Sequence, residues 1–169
     1  AFEERPVFGL PVEVPSKGPT LVVLFIRHLG DPFARQTLAE VQTRFSDFDR
    51  AGVRLVAITQ TDLTTARDFV PRHHVLCPVV TDPEGELQTL YGIGFDRFLL
   101  GSIKGALAGS ASRLIGALNH GHGKKAGPAR QLPAEFVIDG NGRILHLRYS
   151  TSITDGPHLD DLLRIASGS

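Results

Sequence analysis

Thr20-Leu21-Val22-Val23-Leu24-Phe25-Ile26-Arg27 is an unbroken aliphatic and β-branched run, the pattern of a strand buried on both faces of a parallel sheet. Soon after it, Asp31-Pro32 sets a capping acid before a proline at the first helical position. Phe33, Leu38, Val41, Phe45 and Phe48 follow before the chain reaches Gly52. The spacing predicts a helix of about five turns. Val53 to Thr59 reads as a second buried strand, Asp62 to His74 as a helix carrying Pro71 late, and Pro78 to Thr81 as a short third strand closed by Asp82-Pro83. Strands alternating with helices imply a parallel sheet.

Further along, Glu84 to Tyr91 predicts a short helix ended by Gly92 and Gly94. The pattern then changes: Glu135 to Asp139, a turn at Gly140-Asn141-Gly142 and the stretch Arg143 to Ser150 read as a β-hairpin, and Asp155 to Ala166 as a closing helix. The expectation is an α/β fold with a mixed sheet and helices on both faces, formed by one domain over residues 1–169. An insertion, Phe95 to Gln131, separates the halves. Its first part places Phe95, Leu99, Ile103, Leu107 and Leu114 near helical spacing, and Asn119 to Arg130 reads as a Gly-, His- and Lys-rich loop. The insertion carries Arg97, Lys104, Arg113, Lys124, Lys125 and Arg130 against the single acid Asp96. It is the one strong charge asymmetry in the chain.

Globally, Lys+Arg and Asp+Glu both number 18, so no net field draws the chain to nucleic acid or anionic lipid. No nucleic-acid partner is expected. The longest apolar run, Leu21 to Ile26, is far too short to span a bilayer. The single cysteine, Cys77, excludes an internal disulfide framework and fits a reducing cytosol, so a cytoplasmic protein is expected. Methionine is absent and the first residue is Ala1, as in a processed or trimmed chain or one domain of a larger protein.

The segment Phe25-Ile26-Arg27-His28-Leu29-Gly30-Asp31-Pro32-Phe33-Ala34-Arg35 resembles the Phe-x-Arg-His-x-Gly-Cys-Pro-Phe-Cys-Arg signature of a peroxiredoxin-like branch. That branch belongs to the alkyl hydroperoxide reductase and thiol-specific antioxidant (AhpC/TSA) superfamily and includes the prostamide/prostaglandin F synthases. Pro78 to Pro83, Leu90-Tyr91-Gly92, Gln131-Leu132-Pro133 with Phe136 to Asp139, and Asp160 to Leu163 extend the likeness over nearly the whole chain. The resemblance implies a thioredoxin-like fold and thiol-dependent reduction of peroxides or endoperoxides. However, Asp31 and Ala34 stand where the signature has its two cysteines. Asp31 keeps a negative charge at a helix start, where the thiolate would be favoured, but has no redox chemistry. Ala34 removes any resolving thiol. A natural loss of both sulfurs is the preferred reading, because aspartate is an odd choice for a deliberate inactivation.

The candidate catalytic residues are Asp31, His28, Arg27 and Arg148. Arg27 and His28 end the central strand at its carboxyl edge, where open α/β sheets bind ligands. Asp31 is equally a plain helix cap, His28 equally a structural histidine, and Arg27 equally an ion-pair partner for Asp31. Arg148, on the hairpin's second strand, is either an anion-binding group opposite Asp31 or a solvated strand residue. Phe33, Ala34, Pro133 and Arg97 are candidate ligand contacts. The resemblance places Pro133 where thioredoxin-fold proteins carry a cis-proline facing the active-site helix. Cys77, just before a buried strand with no basic neighbour nearer than His74, reads as an inert core thiol.

No metal and no cofactor are expected. His73 and His74 are adjacent on a helix and point apart, His120-Gly121-His122 lacks a third ligand, and no phosphate loop or nucleophile elbow is present. Three functions stand open: a redox-silent relative binding a small ligand or protein partner at the Asp31 helix start, a non-thiol acid–base enzyme acting on an apolar substrate, and a one-cysteine peroxidase through Cys77. The apolar insertion is expected to roof the Asp31 cleft, with Arg97, Lys104 or Arg113 reaching a ligand's charged end. Pairing of two copies into a homodimer is the alternative burial for it.

Overall fold

The structure is a computed structural model that describes residues 2–4, 6–7, 12–14, 18–94, 111–121, 123 and 131–168. Strands β1 (Phe2–Glu4) and β2 (Val12–Val14) pair antiparallel in a small separate sheet. The main sheet contains β3 (Leu21–Ile26), β4 (Arg54–Thr59), β5 (Val79–Thr81), β6 (Ala134–Ile138) and β7 (Ile144–Tyr149), in the order β5-β4-β3-β6-β7. β3, β4 and β5 run parallel, whereas β6 and β7 run antiparallel to the strands beside them. The mixed sheet of the expectation is therefore present. The initial hairpin was not anticipated, since three-residue strands carry too little alternation to register as strands.

Helix α1 (Pro32–Arg50) starts where expected: Asp31 is extended, and its carboxylate accepts from the Ala34 N–H. α2 (Leu63–Arg72) is capped likewise by Asp62 from the Thr65 N–H and stops one residue beyond Pro71. α3 (Glu86–Leu90) and α4 (Ala111–Asn119) follow. α5 (Leu159–Ser167) begins four residues later than the sequence suggested. The reason is Asp155, whose carboxylate closes a turn by accepting from the N–H groups of Thr151 and Ser152 instead of opening the helix.

Two apolar layers sandwich the sheet. On one face Val22, Leu24 and Ile26 pack with Leu38, Val41 and Phe48 of α1, Phe69 and Val70 of α2, and Leu159 and Leu162 of α5. On the other, Leu21, Val23, Phe25, Ile58 and Phe136 pack with Leu87 of α3, Ile93 and Val12. This double burial explains why β3 reads as uniformly apolar: alternate side chains enter opposite layers, and both layers are apolar. No described helix is long and apolar enough to cross a membrane.

Candidate functional site

The sheet topology assembles the site. β3 delivers Arg27 at its carboxyl end, and the antiparallel register that pairs Phe25 with Ala134 brings the start of β6, with Pro133 before it, to the same edge. Ala134 then faces Tyr149, and Glu135 faces Arg148, so the end of β7 arrives there as well. Residues separated by more than a hundred positions in sequence converge at one end of the sheet, beside the first turn of α1.

Between Arg27 and α1, the chain is held by the neighbouring strand. The Thr59 hydroxyl donates to the Arg27 carbonyl at 2.9 Å, and the Leu29 N–H donates to the Thr61 hydroxyl at 2.8 Å. Gln131 donates its amide to the Ile26 carbonyl at 3.3 Å. These contacts were not foreseen, because isolated threonines and a glutamine carry no signature of what they will face.

At the helix start, Arg27 and Asp31 form an ion pair in which both side chains are buried, at 6% and 7% exposure. The second oxygen of Asp31 accepts from the Ala34 N–H at 3.0 Å. Asp31 is thus both a cap and an ion-pair partner, which unites two readings open in the sequence. His28 is buried beside the pair but does not line the cleft.

Across the cleft, Arg148 donates to both oxygens of Glu135, at 2.7 and 3.0 Å, and to the Gly156 carbonyl at 2.6 Å. Glu135 is only 3% exposed in its side chain. Its bonds to Arg148 raise the guanidinium's pKa further above the ordinary arginine range. The expectation of Arg148 as an open anion-binding group opposite Asp31 is corrected here: the guanidinium is bidentate on a cross-strand carboxylate. Sequence reading missed Glu135, although a charged residue inside a buried strand is itself a signal of a buried partner.

Leu24, Phe25, Ile26, Phe33, Ala34, Thr37, Pro133, Ile153 and Pro157 line the cleft together with the polar groups Arg27, Glu135, Arg148 and Asp155. The enclosed space is about 20 Å³, room for a single water. Of the candidates, Arg27, Phe33, Ala34, Pro133 and Arg148 are brought together at this edge and Asp31 lies directly behind them. Arg97 falls outside the described residues, as do Leu99, Lys104, Lys124, Lys125 and Arg130.

The described part of the insertion does not roof the cleft. α4 packs along α1, and Arg113 donates from Nη1 to Glu40 at 2.8 Å, from Nη2 to the Thr37 hydroxyl at 3.1 Å and from Nε to the Thr154 carbonyl at 3.1 Å. Among the described residues, none from α4 lines the cleft. Arg113 therefore anchors α4 to α1 rather than reaching for a ligand, because Glu40 presents a half-buried carboxylate within its span.

Cys77 lies in the core at 3% exposure, and burial pushes its thiol from the ordinary 9.0 up to about 12. Native labelling by a thiol reagent at neutral pH is expected to be slow and to follow global unfolding, since both accessibility and thiolate are lacking. Because the folded thiol titrates above the unfolded one, stability is intact below pH 9 and falls from there toward pH 12. Urea titrations of the native chain and Cys77→Val across that range check the sign: the variant should show the shallower decline.

The sequence profile of the AhpC/TSA family matches residues 13–147, and the chain belongs to that family. Solved structures with the same fold include peroxidoxin BcpB from Mycobacterium tuberculosis, 19% identical with a TM-score of 0.68 over 99% of this chain and 92% of that one. Peroxiredoxin Q from Xanthomonas campestris is 12% identical, with a TM-score of 0.71 over 99% and 90%. The mitochondrial 2-Cys peroxiredoxin of Plasmodium falciparum is 15% identical, with a TM-score of 0.67 over 99% and 88%. No curated protein sequence matched the chain.

Proposed function

We propose that this chain is a redox-silent AhpC/TSA protein that acts by binding a small ligand or a protein partner at the cleft beside the Asp31 helix start. One observation carries the reading: a carboxylate, paired with Arg27 and bonded to the Ala34 N–H, occupies the position that the family signature gives to a thiol. The sole cysteine is in the core, too protonated to attack a peroxide at neutral pH. Phe33, Pro133, Ile153 and Pro157 supply an apolar lip, and an occupant larger than water would enter by displacing it. The acid–base enzyme reading ranks behind, since Asp31, Arg27 and Arg148 are engaged with partners already in place.

Activity assays, an engineered cysteine pair and a ligand titration test this. Purified protein is expected to show no thiol-dependent peroxide consumption and no insulin reduction, because exchange requires an attacking thiolate and a second thiol. Asp31→Cys with Ala34→Cys, at the cap and third helical position, is expected to create a reducible disulfide. Amide shifts in a fragment titration should cluster around Phe33, Ala34 and Ile153. Peroxide turnover lost in Cys77→Ser would overturn the proposal in favour of the one-cysteine peroxidase.

A further inference from the structure

A second cavity lies on the far side of α1, away from the cleft. It is lined by Arg35, Leu38, Ala39 and Gln42 of α1, Phe69 of α2, His73 and Val75 just beyond it, and His120 at the end of α4. Its volume is about 170 Å³, eightfold more than the cleft offers and close to the roughly 150 Å³ that holds a benzene ring in an apolar protein cavity.

The cationic wall of this cavity is fixed in place. Arg35 donates from Nε to the Leu29 carbonyl at 2.8 Å and from Nη1 to the His120 carbonyl at 3.3 Å, and its guanidinium carbon sits 5.3 Å from the centre of the Phe69 ring. Among the described residues, no carboxylate pairs with it, in contrast to Arg27, Arg44, Arg113 and Arg148. His73 stacks on Phe69 at 4.0 Å. The lining contains one arginine, two histidines and no acid, so its field is positive. Desolvation first, then Arg35, Arg72 and His74, hold His73 below its ordinary 6.5.

A guanidinium held by two carbonyls loses little freedom when it takes a carboxylate, and its remaining N–H groups suit one. Leu38, Ala39, Phe69 and Val75 form the apolar remainder of the wall. We infer that this cavity binds a small monocarboxylate with a compact apolar body of about six carbons, its carboxylate on Arg35 and its body against Leu38 and Phe69. The site is separate from the proposed cleft, and neither depends on the other.

Sodium benzoate is the probe, with benzyl alcohol as its uncharged counterpart, followed by NMR of the Arg35 Nε–H and the His73 ring. Saturable benzoate binding is expected, at least tenfold tighter than benzyl alcohol. It should tighten as the pH falls and His73 gains a proton; Arg35, Arg72, His74 and His120 are the other basic groups facing that ring. Arg35→Gln should weaken binding tenfold or more. Because that variant also loses structural bonds, Ala39→Phe provides an independent check, filling the cavity while keeping Arg35; it should abolish binding with the fold retained by circular dichroism. Equal affinity for benzoate and benzyl alcohol, native-like binding by Ala39→Phe, or shifts confined to Phe33 and Pro133 would each overturn the inference.

Discussion

Asp31→Ala is expected to destabilise the protein by about 3–5 kcal/mol, the cost of breaking a buried ion pair by removing one partner. Both side chains are almost wholly shielded from water, so the Arg27 guanidinium would lose its carboxylate partner in a medium that solvates charge poorly. About 1 kcal/mol of the loss belongs to the helix cap that disappears with it. For a domain of this size each kcal/mol lowers Tm by about 2–4 °C, so the transition should fall by roughly 10 °C. Arg27→Met in the Asp31→Ala background should recover part of the loss, since replacing a buried pair by apolar groups is often neutral. Urea denaturation of the two single variants and the double variant measures this. Additive losses would show that the pair is not coupled.

Arg148→Met is expected to cost about 3 kcal/mol, for the mirror-image reason. It leaves Glu135 buried within β6, with His146, 3.4 Å away, as the polar partner remaining among the described residues. The reverse change, Glu135→Gln, should cost less: it removes the buried charge, and Arg148, at 27% exposure, can turn toward water. The asymmetry is the test, and thermal melts of both variants read it. Equal losses would mean that the guanidinium, rather than the carboxylate, depends on the pair. Arg148→Met should also loosen the 151–157 segment, because Arg148 holds the Gly156 carbonyl. Amide exchange at Ser152 to Asp155 should rise in that variant.

Two ion pairs define the candidate site. Asp31 and Glu135 each hold an arginine at the carboxyl edge of the sheet. The described charged residues Arg27, Glu135 and Arg148 that line the cleft are therefore already paired, Arg27 with Asp31 behind it. Arg35, which pairs with no carboxylate among the described residues, sits instead behind the helix and donates to two backbone carbonyls. The motif segment thus faces two cavities: Phe33 and Ala34 line the cleft, and Arg35 lines the other.

Much of the fold was legible in the chain because local physics specifies it. β3 is apolar at every position, α1 opens on Asp31-Pro32, and the turn after β6 is closed by Asp139 accepting from the N–H groups of Asn141 and Arg143, with Gly142 at φ 86°. Caps, proline positions and buried runs depend on neighbours only a few residues away. Asp155 shows the limit of such reading: the same residue type caps a helix at Asp31 and closes a loop turn here, and only the path of Gly156-Pro157 distinguishes them.

The strands and helices from β3 onward, the capped start of α1 and the core placement of Cys77 are legible in residue patterns along the chain, which leave β1 and β2 unmarked. The same patterns put the candidate site at the end of β3. Arg27 and Asp31 are close enough in sequence for their pairing to be read there, whereas Glu135 and Arg148 become partners only through the antiparallel register of β6 and β7. Arg113 finds Glu40 only because α4 lies along α1. Ion pairing depends on distance in space and on the dielectric around the pair, and for residues far apart in sequence neither quantity is carried by spacing along the chain.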